Sequence, residues 1–339
     1  MGLKIASGAA FAVCACVLAG AASAREVNVY TSREAELIKP VLDAYAQASG
    51  TKVNLVFVKD GLEERVRAEG AHSPADVMIL VDVARLVRAA DMGITQPVDS
   101  AALKATVPEA LRDPNGRWFA TTLRSRVVYA SKERVKQDAI TYEELADPKW
   151  KGRICIRSAQ HPYNQSLIAA AIVRLGPAQA ERWLAGVKAN LAKKPSGGDR
   201  DVARDIRAGV CDIGIANTYY MGLMLNGTDA AQKTWGEAVK VLDSRFAGGG
   251  THVNLSGAAV AKNAPNRAEA VKLIEFLVGE QAQNLLADLN YEYPVRAGIA
   301  ANATTKLFGA ISPDPTPPAA IAAQRDAASI LADKVGFDR

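Results

Sequence analysis

The sequence predicts an α/β fold with two lobes, built from mixed sheets flanked by helices. Strand-like segments alternate along the chain with segments whose apolar residues recur at helical spacing, an order typical of parallel or mixed sheets. The chain also has 339 residues, and a single hydrophobic core rarely grows beyond ~250–300 residues. Two lobes are therefore expected.

In the first block, strand and helix signals alternate at short intervals. The predicted order is strand 26–30, helix 36–48, strand 52–58, helix 61–70 and strand 75–81. The first strand (EVNVY) alternates apolar and polar residues, whereas the last (ADVMILV) is apolar enough to be covered on both faces. This block predicts one parallel or mixed sheet.

A second block repeats the alternation. The predicted order is a short helix from 142–145, strand 152–156, helices 166–175 and 182–192, strands 211–216 and 250–260, and helices 268–279, 280–288 and 319–334. The stretch 311–319 (ISPDPTPPA) is rich in proline, so we expect it to be stiff and extended along the surface.

The first 24 residues have the pattern of a secretory signal peptide. Lys4 gives a basic start, residues 8–20 are almost wholly apolar, and residues 22–24 (ASA) offer small side chains at a cleavage site. A membrane anchor is the alternative, but the apolar run is shorter than the ~20 residues that a spanning helix needs. We therefore expect export and cleavage after residue 24.

Charge and cysteine content narrow the class of protein further. The formal charge of +5 is mild, and no basic run interleaved with aromatic residues is present, so a nucleic-acid partner is not expected. The mature chain keeps Cys155 and Cys211, and exported proteins with an even pair of cysteines usually oxidise them. We predict a Cys155–Cys211 disulfide, with two buried free thiols as the alternative.

Motifs of known catalytic sites are missing from the sequence. It contains no Gly-x-Ser-x-Gly, no His-Glu-x-x-His and no phosphate-binding loop. The histidines His72, His161 and His252 stand apart from other ligand residues, so a zinc site has little support. His72 and His252 are expected in loops or at the surface. A two-lobed enzyme is therefore the less favoured interpretation.

The run CDIGIANTYY (211–220) ends in two adjacent tyrosines, Tyr219 and Tyr220. A phenol titrates near pH ~10, so a phenolate at neutral pH needs a strong cation, and a small trivalent ion such as ferric iron suits charged oxygen donors. Ordinary packing of the two rings is the alternative. Asn217 and Thr218 predict a strand end followed by a helix cap, which places the pair where open α/β sheets bind ligands.

Several longer segments, in this order, carry a family resemblance. They are VNVYTSRE (27–34), SPADVMILVD (73–82), WFATTLRSRVVYAS (118–131), LADPKWKGRICIRS (145–158), HPYNQSL (161–167), KPSGGDRD (194–201), IANTYY (215–220), HVNLSGAAVAKNAPN (252–266) and YEYPV (291–295). Together they resemble the bacterial periplasmic ferric-ion-binding proteins, which deliver iron to an ABC importer. The resemblance implies a two-lobed periplasmic binding protein of type II with two hinge crossovers.

The resemblance also implies a set of metal ligands. Tyr219 and Tyr220 supply two ligands to Fe(III), and Tyr163, in a Tyr-Asn-x-Ser segment, supplies a third. Tyr163 is expected in a loop before a helix that opens near Ser166. The predicted disulfide would stiffen this face, and three phenolates would balance the charge of one ferric ion.

The opposite lobe offers fewer ligands. Some relatives carry His or His-Tyr after the Tyr-x-x-Arg of the first loop, whereas this chain has Glu34 and Ala35. Glu34 is either a carboxylate ligand or a residue that caps the helix or is favoured by its dipole. For members that lack such side chains, the resemblance implies that a borrowed anion such as carbonate or bicarbonate completes the coordination of the metal. A guanidinium group suits a planar oxyanion of this kind. The anion-binding candidates are Arg124, Arg126, Arg33, Thr31 and Ser32.

The function implied is capture by closure of two lobes. The predicted lobes are 25–125 with 255–299, and 126–254 with 300–339, joined by crossing strands near 125–130 and 249–255. The implied partners are an inner-membrane ABC permease and its ATPase, with an outer-membrane iron source, and the carrier itself is expected to be monomeric. The alternative is a periplasmic carrier of Fe²⁺ or Mn²⁺, or of a small oxyanion without metal.

Overall fold

The computed structural model describes residues 25–300, 302–309 and 311–339. The predicted signal peptide, residues 1–24, lies outside this part of the chain. Within the described residues, no helix combines the length and the apolar character needed to cross a membrane.

Strands and helices alternate broadly as the sequence predicts. In chain order the first elements are β1 (Glu26–Thr31), α1 (Ala35–Ser49), β2 (Lys52–Phe57), α2 (Leu62–Glu69), β3 (Val77–Leu80), α3 (Val83–Asp91), α4 (Ala101–Thr106) and β4 (Phe119–Ser131). The next elements are β5 (Ala139–Thr141), β6 (Ile154–Cys155), α5 (Pro162–Leu175), α6 (Pro177–Ala189), α7 (Asp199–Arg207), β7 (Ile213–Asn217), α8 (Thr218–Asn226), α9 (Ala230–Ala238) and β8 (Val239–Arg245). The last are β9 (Val253–Val260), α10 (Arg267–Leu277), α11 (Glu280–Asn290), β10 (Tyr293–Pro294), α12 (Ala303–Lys306), α13 (Pro318–Ala323) and α14 (Arg325–Val335).

The strands form a mixed sheet in the order β2-β1-β3-β9-β4-β7-β6. β1 runs parallel to β2 and β3, and β6 runs parallel to β7, whereas β4 and β9 are antiparallel to their neighbours. In the long strand β4, residues 119–125 pair with β9, and residues 126–131 pair with β7 or β8. β4 therefore passes from one half of the sheet to the other near residue 125.

The apolar side chains form separate clusters on the two halves of the sheet. One cluster takes its buried residues from 27–120 and 255–295. Two further clusters take theirs from 127–246 and 308–337. The chain therefore returns to the first half after residue 255 and to the second half after residue 308, so each half contains residues that are distant in sequence.

Helix α5 begins earlier than the sequence suggests. It starts at Pro162, because the Nδ1 atom of His161 accepts the N–H of Tyr163 at 3.2 Å and proline suits the first turn of a helix. The prediction that Tyr163 lies in a loop is therefore wrong. The predicted helix 319–334 is also wrong as a single element, since α13 and α14 are separated at Gln324.

The predicted disulfide is confirmed. Cys155, at the end of β6, is bonded to Cys211, just before β7, with their Cα atoms 5.8 Å apart. β6 and β7 are parallel neighbours, and the bond ties them together. Helix α5 follows β6 in the chain, and helix α8 follows directly after β7.

Candidate metal centre

Three phenol rings meet at the N-termini of two helices. Tyr219 and Tyr220 lie in the first turn of α8, directly after β7, and Tyr163 lies in the first turn of α5. The hydroxyl oxygens of Tyr163 and Tyr219 are 3.1 Å apart, and the ring centres of Tyr219 and Tyr220 are 4.3 Å apart. Helix N-termini favour negative charge. The three predicted ligands are therefore together, at helix ends whose dipoles favour negative charge.

Burial keeps Tyr219 and Tyr220 protonated when no cation is beside them. Burial, followed by the charges of Tyr163 and Tyr220, raises the pKa of Tyr219 well above its ordinary value. Burial also raises the pKa of Tyr220, and Tyr163 and Asp199 act in the same direction. A cation that binds to these oxygens must displace protons, so acid opposes binding.

Arg124 is a buried cation whose described partners include no carboxylate. Its side chain is 1% exposed, and it donates to Ser256 Oγ at 3.2 Å and to the carbonyl of Val81 at 2.9 Å. Its Nε–H has no acceptor among the described residues, and its guanidinium carbon lies 5.5 Å from the ring centre of Tyr163. Because a buried charge without a counter-ion is costly, an anion beside Arg124 would be stabilised.

Arg126 belongs to a buried network under the tyrosine pair. Its five N–H groups are donated to Asn164 Oδ1, Asp199 Oδ2, Asn217 Oδ1 and the carbonyl of Ile215. Asp199 Oδ2 also accepts the N–H of Asn217, the last residue of β7, at 2.8 Å. Arg126 therefore holds the strand end before Tyr219 and has no donor left, so its predicted role as an anion ligand is not supported.

In the loop after β1, one of the two hydroxyls has no hydrogen-bond partner among the described residues. Thr31 donates its hydroxyl to the carbonyl of Ile79 and accepts the N–H of Arg33, so its role as an anion ligand is not supported. The buried Oγ of Ser32 has no partner within the described chain. Glu34 is exposed and its side chain does not cap α1. The prediction of a side-chain cap is therefore wrong, whereas the position of Glu34 at the N-terminus of α1 suits the helix dipole. The role of Glu34 as a ligand stays a prediction.

Arg33 forms a buried ion pair that sequence reasoning missed. Its Nη1 and Nη2 atoms donate to the two oxygens of Glu292 at 3.2 and 2.8 Å, and Nη1 also donates to Ser256 Oγ at 3.2 Å. Burial opposes the charge on Arg33, but Glu292, together with Tyr219 and Tyr163, raises the pKa of Arg33 above its ordinary value. Glu292 lies in the segment YEYPV, where a lone carboxylate gives no sign of its partner.

The histidines do not build a metal site. The described residues contain no group of three or more His, Cys, Asp or Glu arranged to hold a metal ion. The ring of His161 packs edge-on against Tyr163, and burial, followed by the charge of Arg157, lowers the pKa of His161 to about 3. His252 lies in the connection directly before β9, as predicted, but it is not at the surface, since it is 1% exposed and its Nε2 lies 3.0 Å from Ser166 Oγ.

The family model for bacterial extracellular solute-binding proteins matches residues 72–307. The chain belongs to this family. Among curated proteins, it is 48% identical over 294 residues to iron uptake protein A1 of Synechocystis sp., covering 86% of this chain and 82% of that protein.

Solved structures of related proteins have the same fold. The Bordetella ferric binding protein superposes with a TM-score of 0.88 and 56% identity, covering 93% of this chain and 100% of that one. A Trichodesmium protein solved in complex with iron and citrate ligands superposes with a TM-score of 0.86 and 39% identity, covering 92% and 99%. The predicted resemblance and the two-lobed periplasmic binding-protein fold of type II are confirmed.

Proposed function

We propose that this chain is a periplasmic carrier of ferric iron, the solute-binding component of an ABC importer. Tyr163, Tyr219 and Tyr220 bind Fe(III) as phenolates. The observation that carries this proposal is the convergence of the three rings on two helix N-termini beside the buried Arg124. The names of relatives, which refer to iron uptake and ferric binding, point to the same cargo.

The chemistry of the three oxygens selects the cargo. Three phenolates balance the charge of one trivalent ion, and hard, charged oxygen donors suit such an ion better than imidazole or thioether would. Because the phenols of Tyr219 and Tyr220 are protonated at neutral pH in the metal-free protein, each bound ion releases protons. Affinity therefore falls as the pH falls.

A small oxyanion such as carbonate or bicarbonate completes the site. The donors left free by the fold fit it, because the Nε–H groups of Arg33 and Arg124 and the hydroxyl of Ser32 are buried without acceptors in the described chain. When bound, the anion supplies oxygen ligands to the metal. Arg124 holds the anion and gains the counter-ion that its burial requires.

Capture and delivery follow from the two-lobed fold. We place the lobes at 25–125 with 255–299 and at 126–254 with 300–339, so that β4 and the segment before β9 act as hinges. The signal peptide, residues 1–24, directs the carrier to the periplasm, where as a monomer it takes iron from an outer-membrane source. It delivers iron to an inner-membrane permease and its ATPase and performs no chemistry on a substrate.

Titration with ferric citrate in bicarbonate buffer near neutral pH tests the proposal. Ferric phenolates absorb visible light, so the mature protein should turn orange or red. Each of the single substitutions Tyr163→Phe, Tyr219→Phe and Tyr220→Phe should lower the affinity for Fe(III) by at least about tenfold, equivalent to ~1.4 kcal/mol. Tyr45→Phe is the matched control, because Tyr45 is buried in the first cluster against Phe276.

The outcomes separate the alternatives. A colourless titration would exclude phenolate coordination. If the protein then bound Mn²⁺ or Fe²⁺, or an oxyanion without metal, the corresponding alternative carrier would replace the ferric one. A variant set in which Tyr45→Phe loses as much colour as Tyr219→Phe would show a general effect on folding rather than loss of a ligand.

A further inference from the structure

The Arg33–Glu292 ion pair lies beside Arg124, whose guanidinium carbon is 5.5 Å from the ring centre of Tyr163. Arg33 is 5% exposed and Glu292 2% exposed, and the two carboxylate oxygens accept separate N–H groups of the guanidinium. We propose that Glu292 sets the anion selectivity of the site, by cancelling the charge of Arg33 so that the bound oxyanion meets one uncompensated guanidinium, that of Arg124. This inference rests on the anion site of the proposed function.

A single hydroxyl links the two arginines. Arg33 Nη1 and Arg124 Nη1 each donate to Ser256 Oγ at 3.2 Å, and Ser256 is 1% exposed. The two guanidinium groups are therefore close neighbours in a water-poor interior, where like charges repel strongly. Glu292 removes this repulsion on the Arg33 side only. Without it, two bare cations would share one oxygen.

Arg126, which also lies near the ring of Tyr163, is compensated in a similar way. Arg126 pairs with the buried carboxylate of Asp199, whereas the described partners of Arg124 are a hydroxyl and a carbonyl. Arg33, Arg124 and Glu292 together therefore present one net positive charge to an incoming anion. A singly charged oxyanion such as bicarbonate neutralises this charge, whereas a dianion such as hydrogen phosphate leaves a buried negative charge without a partner.

The ligand class follows from this charge count. The site should prefer bicarbonate over phosphate because Glu292 repels the second negative charge of phosphate. Arg33 still offers its Nε–H, which has no acceptor in the described residues. Both carboxylate oxygens of Glu292 accept N–H groups of Arg33, so Glu292 itself does not contact the anion. Glu292 therefore acts as a positioning and selectivity residue, and Arg33 remains available to bind the anion.

Replacing Glu292 by Gln tests the inference in the metal-free protein. Bicarbonate and phosphate are titrated separately at about pH 8 and constant ionic strength, and the rise in Tm gives the affinity for each anion. The wild type should bind bicarbonate more tightly than phosphate. Glu292→Gln should raise the affinity for phosphate about tenfold and that for bicarbonate less, because removal of one nearby charge acts more strongly on a dianion.

Two further variants separate charge from folding. Asp113→Asn removes another buried carboxylate, which pairs with Arg117 at 2.8 Å and otherwise bonds within its own turn, and should leave the phosphate-to-bicarbonate ratio of affinities unchanged. Glu292→Asp keeps the charge and should restore the wild-type ratio. If Glu292→Gln does not fold, a wild-type ratio for Glu292→Asp supports the proposal and a ratio raised toward phosphate overturns it.

Three results would overturn the inference. They are a ratio for Glu292→Gln within about twofold of wild type, a phosphate preference in the wild type, and no binding of either anion by either protein. Since this assay contains no iron, its result is independent of the colour titration. A protein that turns red with iron but shows no change of ratio keeps the carrier function and loses only the role of Glu292.

Discussion

Replacing Asp199 by Asn is expected to destabilise the metal-free protein strongly. The carboxylate of Asp199 is buried, pairs with Arg126 and Arg157, and accepts the N–H of Asn217. The substitution keeps the volume of the side chain and removes its charge. The variant therefore isolates the electrostatic role of the residue that supports the end of β7.

The magnitude follows from what Arg126 loses. Arg126 is 2% exposed, and without Asp199 its remaining partners are amide and carbonyl oxygens. Removing one member of a buried ion pair costs about 3–5 kcal/mol, because the other charge stays buried without compensation. An asparagine has one acceptor oxygen in place of two, so it cannot accept all three of the donors that now meet Asp199.

Equilibrium unfolding in urea, on metal-free protein with the disulfide intact, measures the change. Asp243→Asn is the control, because Asp243 pairs with Arg245 at the surface and their side chains are 41% and 47% exposed. An exposed pair contributes about 0–1 kcal/mol. If Asp199→Asn lost no more stability than this control, the network under the tyrosines would not depend on its charge, and the reasoning would be refuted.

Two further predictions concern the tyrosine helix. Raising the pH above about 10 should destabilise the metal-free protein, because the unfolded chain then releases the proton of Tyr219, whereas burial raises the folded-state pKa and the folded protein retains it. The stability that the protonated Tyr219 gives is intact below pH ~10, and above this pH the free energy of unfolding falls by about 1.4 kcal/mol per pH unit. In thermal melts between about pH 9 and pH 11, the Tm of Tyr219→Phe should therefore decline less than that of the wild type. Gly222→Ala would place its Cβ 2.1 Å from Cγ of Tyr291, and this overpacking should cost about 1–3 kcal/mol in urea unfolding. Gly198→Ala, whose Cβ meets nothing closer than 3.8 Å, is the control, and equal losses in the two variants would contradict a steric cause.

The order of elements could be predicted from the sequence, whereas the neighbours in the sheet could not. Alternation and helical spacing reveal β1, α1 and β3 because these signals are local. The insertion of β9 between β3 and β4 depends on pairs such as Met78 with Ala259, which are distant along the chain. The start of α5 was missed because histidine is not among the common residues that cap helices.

The tyrosine pair could be recognised from the sequence, but its surroundings could not. Arg124 and Arg126 lie two residues apart on one strand, so their side chains project from the same face and their sequence context is nearly the same. The difference between them is the presence of a carboxylate. Asp199 reaches Arg126, and no described carboxylate reaches Arg124. This difference between the two arginines depends on tertiary contacts, so it cannot be predicted from the local sequence pattern.

This difference between the arginines also explains why metal and anion would bind together. In the proposed site, three phenolates neutralise a ferric ion, which leaves the buried charge of Arg124 uncompensated and the coordination of the ion incomplete. An anion alone would compensate Arg124 but would lie beside neutral phenols with no metal to join. The anion therefore compensates Arg124 and completes the coordination of the ion, and the metal in turn gives the anion a cation to bind. By linkage, each ligand must raise the affinity of the protein for the other by the same factor.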